Sequence, residues 1–328
     1  QQLHRRVGLL AAALVALSPF HIDYAQEVRM YGLVAALGLA ATGCYLLLLR
    51  AWDEGRPTRP AAWAAYTVLM AAALYTQYFA VWLLLAHALH TLLWAWKGAR
   101  GKAWRMLGAQ AGAALCFAPW ALYAGPKLWV YVQYKVGRDA DLPLDLITYV
   151  ARHLAAFGSG HWEGALASWW WLGLIPVVLA AWGLWRETRE WPRRSVTLLG
   201  LLIFVPLAGG YLINRVAPFA PARGERLLLL AAPYFGFLLA LGLSHAWDRR
   251  RAFFWATAGA TLGLWAVALA SFYMTPRYPD DDPRALVRRV AALSSPADAV
   301  VCVFPWQVGY FQAYHPQPWP ALLLTPSQ

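Results

Sequence analysis

Residues 18–31 form a short polar strip between two apolar stretches, 7–17 and 31–49. The strip holds His21, Asp23, Tyr24, Gln26, Glu27, Arg29 and Tyr31. Two acids beside an arginine can handle a hydroxyl or an amine while the guanidinium holds a phosphate. Ser18 followed by Pro19 is a helix start: serine caps the free amides and proline suits the first turn. A helix running from about residue 19 places Asp23, Glu27 and Tyr31 on one face at i, i+4 and i+8, with Gln26 and Arg29 on a neighbouring face. An acid entering hydrocarbon unpaired costs about 2.5–3.5 kcal/mol even on insertion scales, so such groups need a reason. The strip reads either as the wall of an active-site cleft or as a wet interfacial turn with an internal salt bridge.

Two further clusters share this character. Residues 214–226 carry Asn214, Arg215, Arg223, Glu225 and Arg226 directly before an apolar run at 227–246. Arginines at the mouth of a span can clamp a lipid phosphate in bidentate fashion, or simply snorkel from a helix end. Arg226 abuts the apolar run and is favoured for the clamp, with Arg223 beside it. The second cluster, Tyr75-Thr76-Gln77-Tyr78, breaks the long apolar run 61–96 and reads as a polar hairpin tip, with Gln77 able to line the same cleft. Residues 125–165 contain Asp139, Asp141, Asp145, His153, His161 and Glu163 without metal-ligand spacing and read mainly as solvated loop. No phosphate-binding glycine loop, GxSxG or HExxH occurs, so a nucleotide-driven reaction is not expected. No cofactor and no metal site is expected; whether a divalent cation takes part is open.

The elements that position these residues are membrane spans. The chain has 328 residues, of which 60% are hydrophobic and only 13% charged, with a mean hydropathy of +0.43. About a quarter of the residues in a soluble domain are charged. Twenty tryptophans and sixteen tyrosines fit interfacial aromatic belts, and Trp169-Trp170-Trp171 reads as an anchor. The net charge of +12 is spread over short loops, so it is not a nucleic-acid signal. Cys44, Cys116 and Cys302 lie too far apart for metal-type spacing, and no cleavable signal peptide is evident.

Crossing about 30 Å of hydrocarbon takes roughly 20 apolar residues. Spans are expected at 7–17 with its flanks, 31–49, the hairpin 61–96 counted twice, 106–124, 166–185, 196–213, 227–246 and 252–274. The expected architecture is thus an all-α integral membrane protein of about nine helices. Loops 1–6, 50–60, 97–105, 186–195 and 247–251 concentrate sixteen of the 28 Lys and Arg residues in 41 positions; the opposite loops spread twelve over 118. By the positive-inside rule the first set is cytoplasmic, and the strip, the hairpin tip and residues 214–226 face outside.

Two domains are expected. Residues 1–274 form the polytopic transmembrane part. Residues 275–328 form a small external α/β segment. In that tail Asp280-Asp281-Asp282-Pro283 starts a helix whose Leu286, Val290 and Leu293 share a face, 299–304 is a buried strand, and 306–314 returns as a helix. The segment ends with little core, and the chain opens on Gln1 rather than methionine; both ends read as shortened.

Ser18-Pro19, Tyr24, Gln26-Glu27, Arg29 and Tyr31 resemble the "P…YsqEaRmY" signature of bacterial GT-C membrane glycosyltransferases, the relatives of protein O-mannosyltransferases and lipid A aminoarabinose transferases. Tyr75-Thr76-Gln77-Tyr78 is similar to that family's "lYtHY" hairpin, with glutamine where histidine is usual. Arg226-Leu227-Leu228 with Pro233 is similar to its "RYll…P" element, with leucine in place of tyrosine. The resemblance implies a hexosyl- or pentosyltransferase of the bacterial cytoplasmic membrane with its site facing outside. Such an enzyme takes a sugar from a polyprenyl-phosphate carrier and passes it, with inversion and one general base, to a lipid, glycan or protein acceptor; its partners are these and the membrane lipids, not nucleic acid.

The family places its catalytic aspartate in a first external loop, which the resemblance sets upstream of Gln1. Asp23 stands where the family has a non-acidic residue, so the base role is not carried onto it. The resemblance implies that Arg29 and Arg226 hold the carrier phosphate, Glu27 and Tyr31 position Arg29 or the sugar, and Tyr24 and Gln77 line the cleft. A transporter or lipid flippase and a non-catalytic assembly subunit are the competing readings. Spans with almost no charge at mid-depth argue against transport.

Overall fold

A computed structural model of the chain describes all residues except 1, 28, 97–99, 140–141, 191–192, 219–222, 276–281, 296–297, 303–304, 315–320 and 324–328. The chain divides into two units, Gln1–Tyr273 and Met274–Gln328.

The first unit is helical throughout. It runs α1 (Gln2–Leu17), α2 (Pro19–Gln26), α3 (Tyr31–Asp53), α4 (Pro60–Thr76), a 3-10 turn (Tyr78–Ala80) and α5 (Val81–Trp96). Then come α6 (Arg100–Asp139), α7 (Leu146–Ser159), a 3-10 stretch (Gly164–Leu174), α8 (Ile175–Glu190) and α9 (Arg193–Val216). A second 3-10 stretch (Gly224–Ala231), α10 (Ala232–Arg249) and α11 (Arg251–Met274) complete it. Six of these segments are long and apolar enough to cross a membrane, and a seventh arises if the bent pair 5–17 and 19–26 counts as one span. This is the build of an all-α membrane protein.

α10 is the central helix. It packs against α8 and α1, while α3 pairs with α4, and α5 with α6 and α9. In lipid, helices associate by close packing of small residues rather than by a hydrophobic drive. Gly183 on α8 and Gly242 on α10 show this: a Cβ on Gly183 would meet the Gly242 amide nitrogen at 2.6 Å. Buried polar groups need internal partners, because hydrocarbon supplies none. A network between α3, α4, α5 and α10 obeys this. Thr42 Oγ1 lies 2.6 Å from Tyr234 Oη and 3.2 Å from His87 Nε2, and His87 Nδ1 lies 3.2 Å from Tyr66 Oη. Tyr45 Oη lies 2.6 Å from His90 Nδ1, and His90 Nε2 donates to the Arg194 carbonyl at 3.2 Å.

The structure corrects three expectations. The helix beginning at Pro19 stops at Gln26, and Glu27 is extended at φ −72° and ψ 129°. Asp23 and Tyr31 therefore sit on separate helices rather than on one face. Residues 125–165 are not mainly solvated loop. α6 continues to Asp139 through Pro119 and Pro126, and α7 buries Tyr149, His153 and residues 155–159. The break at 75–78 falls where α4 gives way to the extended Gln77, at φ −154° and ψ 128°.

The second unit holds α12 (Pro283–Leu293), α13 (Pro305–Tyr314) and two short parallel strands, β1 (Val300–Cys302) and β2 (Ala321–Leu323), paired Val300 to Ala321. The Asp282 carboxylate caps α12 by accepting from the Arg284 amide; Asp280 and Asp281 lie outside the described residues. The third correction is here: Val287, fully buried, packs with Cys302, Phe311 and Val290, while Leu286 and Leu293 are exposed. The inward face of α12 is turned about one position from the expected one.

Candidate functional site

Four segments meet at one end of the first unit: α2, the start of α3, the turn 160–163 after α7, and the 3-10 stretch after Arg223. The turn is built by Gly160. Its φ is +74°, and a Cβ there would meet Pro19 Cβ at 2.9 Å and the Phe20 amide nitrogen at 3.0 Å. Only glycine combines that conformation with that approach. The result brings His161 to the aromatic face of α2, with ring centroids 5.5 Å from Phe20 and 5.8 Å from Tyr24. Tyr24 in turn meets Tyr31 edge to face at 5.5 Å. The two tyrosines of the strip are thus joined by packing across the break at Glu27.

Arg223 ties the segments electrostatically. It sits at φ +70° and ψ 28°, the one positive-φ residue besides glycine among the described residues. Such a conformation costs roughly 1–3 kcal/mol and persists where surroundings dictate it. Its Nη1 lies 3.8 Å from Asp23 Oδ2, and its Nη2 donates to Glu163 Oε1 in an ion pair. All three side chains are largely buried. Burial works against the arginine's charge, but the Glu163 hydrogen bond and the charges of Glu163 and Asp23 outweigh it and raise the Arg223 pKa.

Arg226 lies one turn further on, its guanidinium 5.9 Å from the centroid of the Tyr31 ring, with no ion pair found among the described residues. Gln77 reaches the same stretch: its Nε2 donates to the Leu227 carbonyl at 3.3 Å, and its buried Oε1 has no partner. Asp23, Tyr24, Tyr31, Gln77, Arg223 and Arg226 are therefore gathered at one place. Glu27 is half-buried at the break. Arg29 is exposed on the turn before α3, where its amide donates to the Glu27 carbonyl at 2.7 Å.

Several residues given no site role from the sequence alone stand at this place, two of them from the stretch taken for solvated loop. His161 and Glu163 follow Gly160 directly, and a polar pair after a helix-ending glycine was the available signal. Glu225, 8% exposed, was hidden in a run of arginines. Asp145 caps α7 by accepting from the Ile147 and Thr148 amides, both at 3.0 Å. His153 donates through Nδ1 to the Tyr149 carbonyl at 2.8 Å, and burial lowers its pKa to about 4, so it is neutral at physiological pH. The Asp139 side chain and Asp141 lie outside the described residues. The buried histidines His87 and His90 had no sequence signal beyond their place in an apolar run.

A cleft of about 300 Å³ opens beside Arg223, lined among others by Arg152, His161, Glu163, Trp170 and Glu225. A smaller cavity of about 30 Å³ shares Arg152 and Glu225 with it and is lined also by Tyr149, His153 and Asn214. Among the described residues no three His, Cys, Asp or Glu side chains are grouped to hold a metal. The arrangement offers a guanidinium backed by an aromatic ring for an anion, and a mixed-charge cleft with an indole wall for a polar ligand. No protein-family model, no curated protein and no solved structure matches this chain.

Proposed function

We propose that the chain is a membrane glycosyltransferase of the GT-C type, which moves a sugar from a polyprenyl-phosphate carrier to a lipid, glycan or protein acceptor, with inversion. The observation that carries this reading is Arg226 seated over Tyr31 at the mouth of an apolar span, next to the Asp23–Arg223–Glu163 junction. A guanidinium at that depth with no ion pair among the described residues suits a lipid-borne phosphate. The ring beneath it holds the cation by its quadrupole. In the same reading the chain crosses the bacterial cytoplasmic membrane nine times, the site faces outside and the second unit is an external α/β segment. Asp23 serves as a counter-ion of Arg223 rather than as a base, since freeing it would strip the arginine of a partner.

The test is transfer from a polyprenyl-phosphate sugar by membranes carrying the protein. Loss of a charge-assisted contact of about 1.5–3 kcal/mol predicts a roughly 10- to 100-fold fall in Arg226→Ala. Arg29→Ala, exposed here, falls less. Wild-type transfer in both variants would sink the phosphate assignment.

The buried pair His87 and His90 is the one observation that favours a transporter, because intramembrane ionisable groups mark proton or ion paths. Each of their ring nitrogens has a protein partner within 3.2 Å. A network satisfied in this way specifies helix packing, and we read it as structural.

A further inference from the structure

We propose that the 300 Å³ cleft beside Arg223 is a sugar-binding subsite in which Glu225 accepts hydroxyl protons of the ring in hydrogen bonds. This rests on the glycosyltransferase reading and assigns the sugar end of the donor, as Arg226 was assigned the phosphate end.

Glu225 is 8% exposed, and its Oε2 is buried with no hydrogen-bond partner among the described residues. A buried carboxylate oxygen without a protein partner is uncommon in folded chains and marks a place where a bound group can be held. The residue lines both the cleft and the smaller cavity. The cavity of about 30 Å³ offers little room, and the cleft of about 300 Å³ is the roomier approach to Glu225.

The lining selects the ligand's chemistry. Arg152 and Arg223 border the cleft together with Glu163 and Glu225. A simple cation meets two guanidinium groups there, and a simple anion meets two carboxylates. A neutral polyol satisfies both signs, since each hydroxyl donates to an acid and accepts from an arginine or a histidine. Trp170, whose ring carries the Arg152 guanidinium 6.0 Å from its centroid, supplies an apolar wall suited to the C–H face of a ring. The volume lies at the lower end for small-molecule pockets, which suits a sugar ring rather than a larger ligand.

The test is binding to the purified full chain in lipid nanodiscs. The probes are farnesyl phosphate, farnesyl-phosphate mannose and farnesyl-phosphate arabinose, together with the methyl glycosides of both sugars. The wild type is expected to bind at least one sugar-bearing probe more tightly than farnesyl phosphate. Glu225→Gln removes that increment, weakening the sugar-bearing probe about tenfold, and leaves farnesyl phosphate unchanged. Because Oε2 has no partner, the melting temperature of the apo protein holds or rises in Glu225→Gln; a purely structural residue would lower it. Arg226→Ala weakens all the farnesyl probes alike. Equal sugar binding by Glu225→Gln and wild type, or equal loss of farnesyl phosphate with and without sugar, overturns the subsite. If no farnesyl probe binds the wild type, the carrier reading fails. The methyl glycosides then decide the subsite alone: binding that Glu225→Gln weakens supports it, and binding to neither protein overturns it.

Discussion

Arg223 shows what one side chain decides at this site. Its planar fork reaches two carboxylates from two different elements, Asp23 on α2 and Glu163 after α7. A lysine ammonium has no such fork. Taking three charges out of water is costly, and such a cluster is weak evidence of stability by itself; removing one partner is the costly step, because it strands the others. Arg223→Ala is therefore expected to destabilise the protein by about 3–5 kcal/mol, with no offset from the backbone, since alanine keeps the positive-φ strain that only glycine would relieve. Adding Asp23→Asn and Glu163→Gln to Arg223→Ala neutralises the stranded acids and restores a large part of that loss. The measurement is thermal or denaturant unfolding in detergent for the single and combined variants. Simple additivity of the three substitutions would show that the junction carries no coupling.

At the scale of elements, the turn at Gly160 determines whether the site exists. It presses residues 160–161 onto the N-terminus of α2, and so sets His161 and Glu163 against Tyr24 and Arg223. Gly160→Ala forces both a left-handed alanine and a collision with Pro19. It is expected to cost roughly 2 kcal/mol or more and to weaken farnesyl-phosphate-sugar binding together with stability. Gly43→Ala is the control, since nothing lies within 4 Å of a Cβ there; its melting temperature is expected to stay within the small range of a neutral surface change. A Gly160→Ala protein as stable and as competent as the control would remove the turn from the argument.

The elements also show what the residues disclose and where they stop. Ser18-Pro19 marks the start of α2 legibly through the proline, although Ser18 at the N-cap makes no side-chain capping hydrogen bond as expected of it, and the polar break at 75–78 marks the hairpin. The end of α2 carries no comparable mark, since neither glycine nor proline stands near Glu27. Tyr24 packs on Tyr31 across that break, a tertiary contact that periodicity alone does not contain. In residues 125–139 the reverse holds. Lys127, Lys135 and Arg138 end the hydropathy signal, yet α6 runs on to Asp139, because a helix needs only local hydrogen bonds and tolerates polar residues wherever a side is wet. The start of α7 was readable in principle from Asp145 as a cap, but an acid sought for chemistry hides an acid used for structure.

On the scale of the molecule, the cation count and the contacts sort the connecting segments alike. Among the loops rich in Lys and Arg, Asp53 of 50–60 meets Arg194 of 186–195 at 2.6 Å. In the opposite set, the strip meets Arg223, Gln77 meets Leu227, and Asn214 donates to the Leu144 carbonyl at 3.2 Å. The assignment of much of 125–165 to helix changes what that segment is made of but not which segments it meets. The contacts thus join cation-rich segments to each other and the segments of the candidate site to each other. The positive-inside rule then predicts a site on the external face. In a variant with Cys44, Cys116 and Cys302 replaced, Met30→Cys is expected to react with a membrane-impermeant maleimide in intact right-side-out vesicles. Pro57→Cys is expected to react only after the membrane is opened. Both positions are exposed in the structure, so burial does not mask either label. The reverse pattern would turn the site toward the cytoplasm, where a lipid-linked sugar presented on the outer leaflet could not reach Arg226, and the glycosyltransferase reading would fall with the orientation.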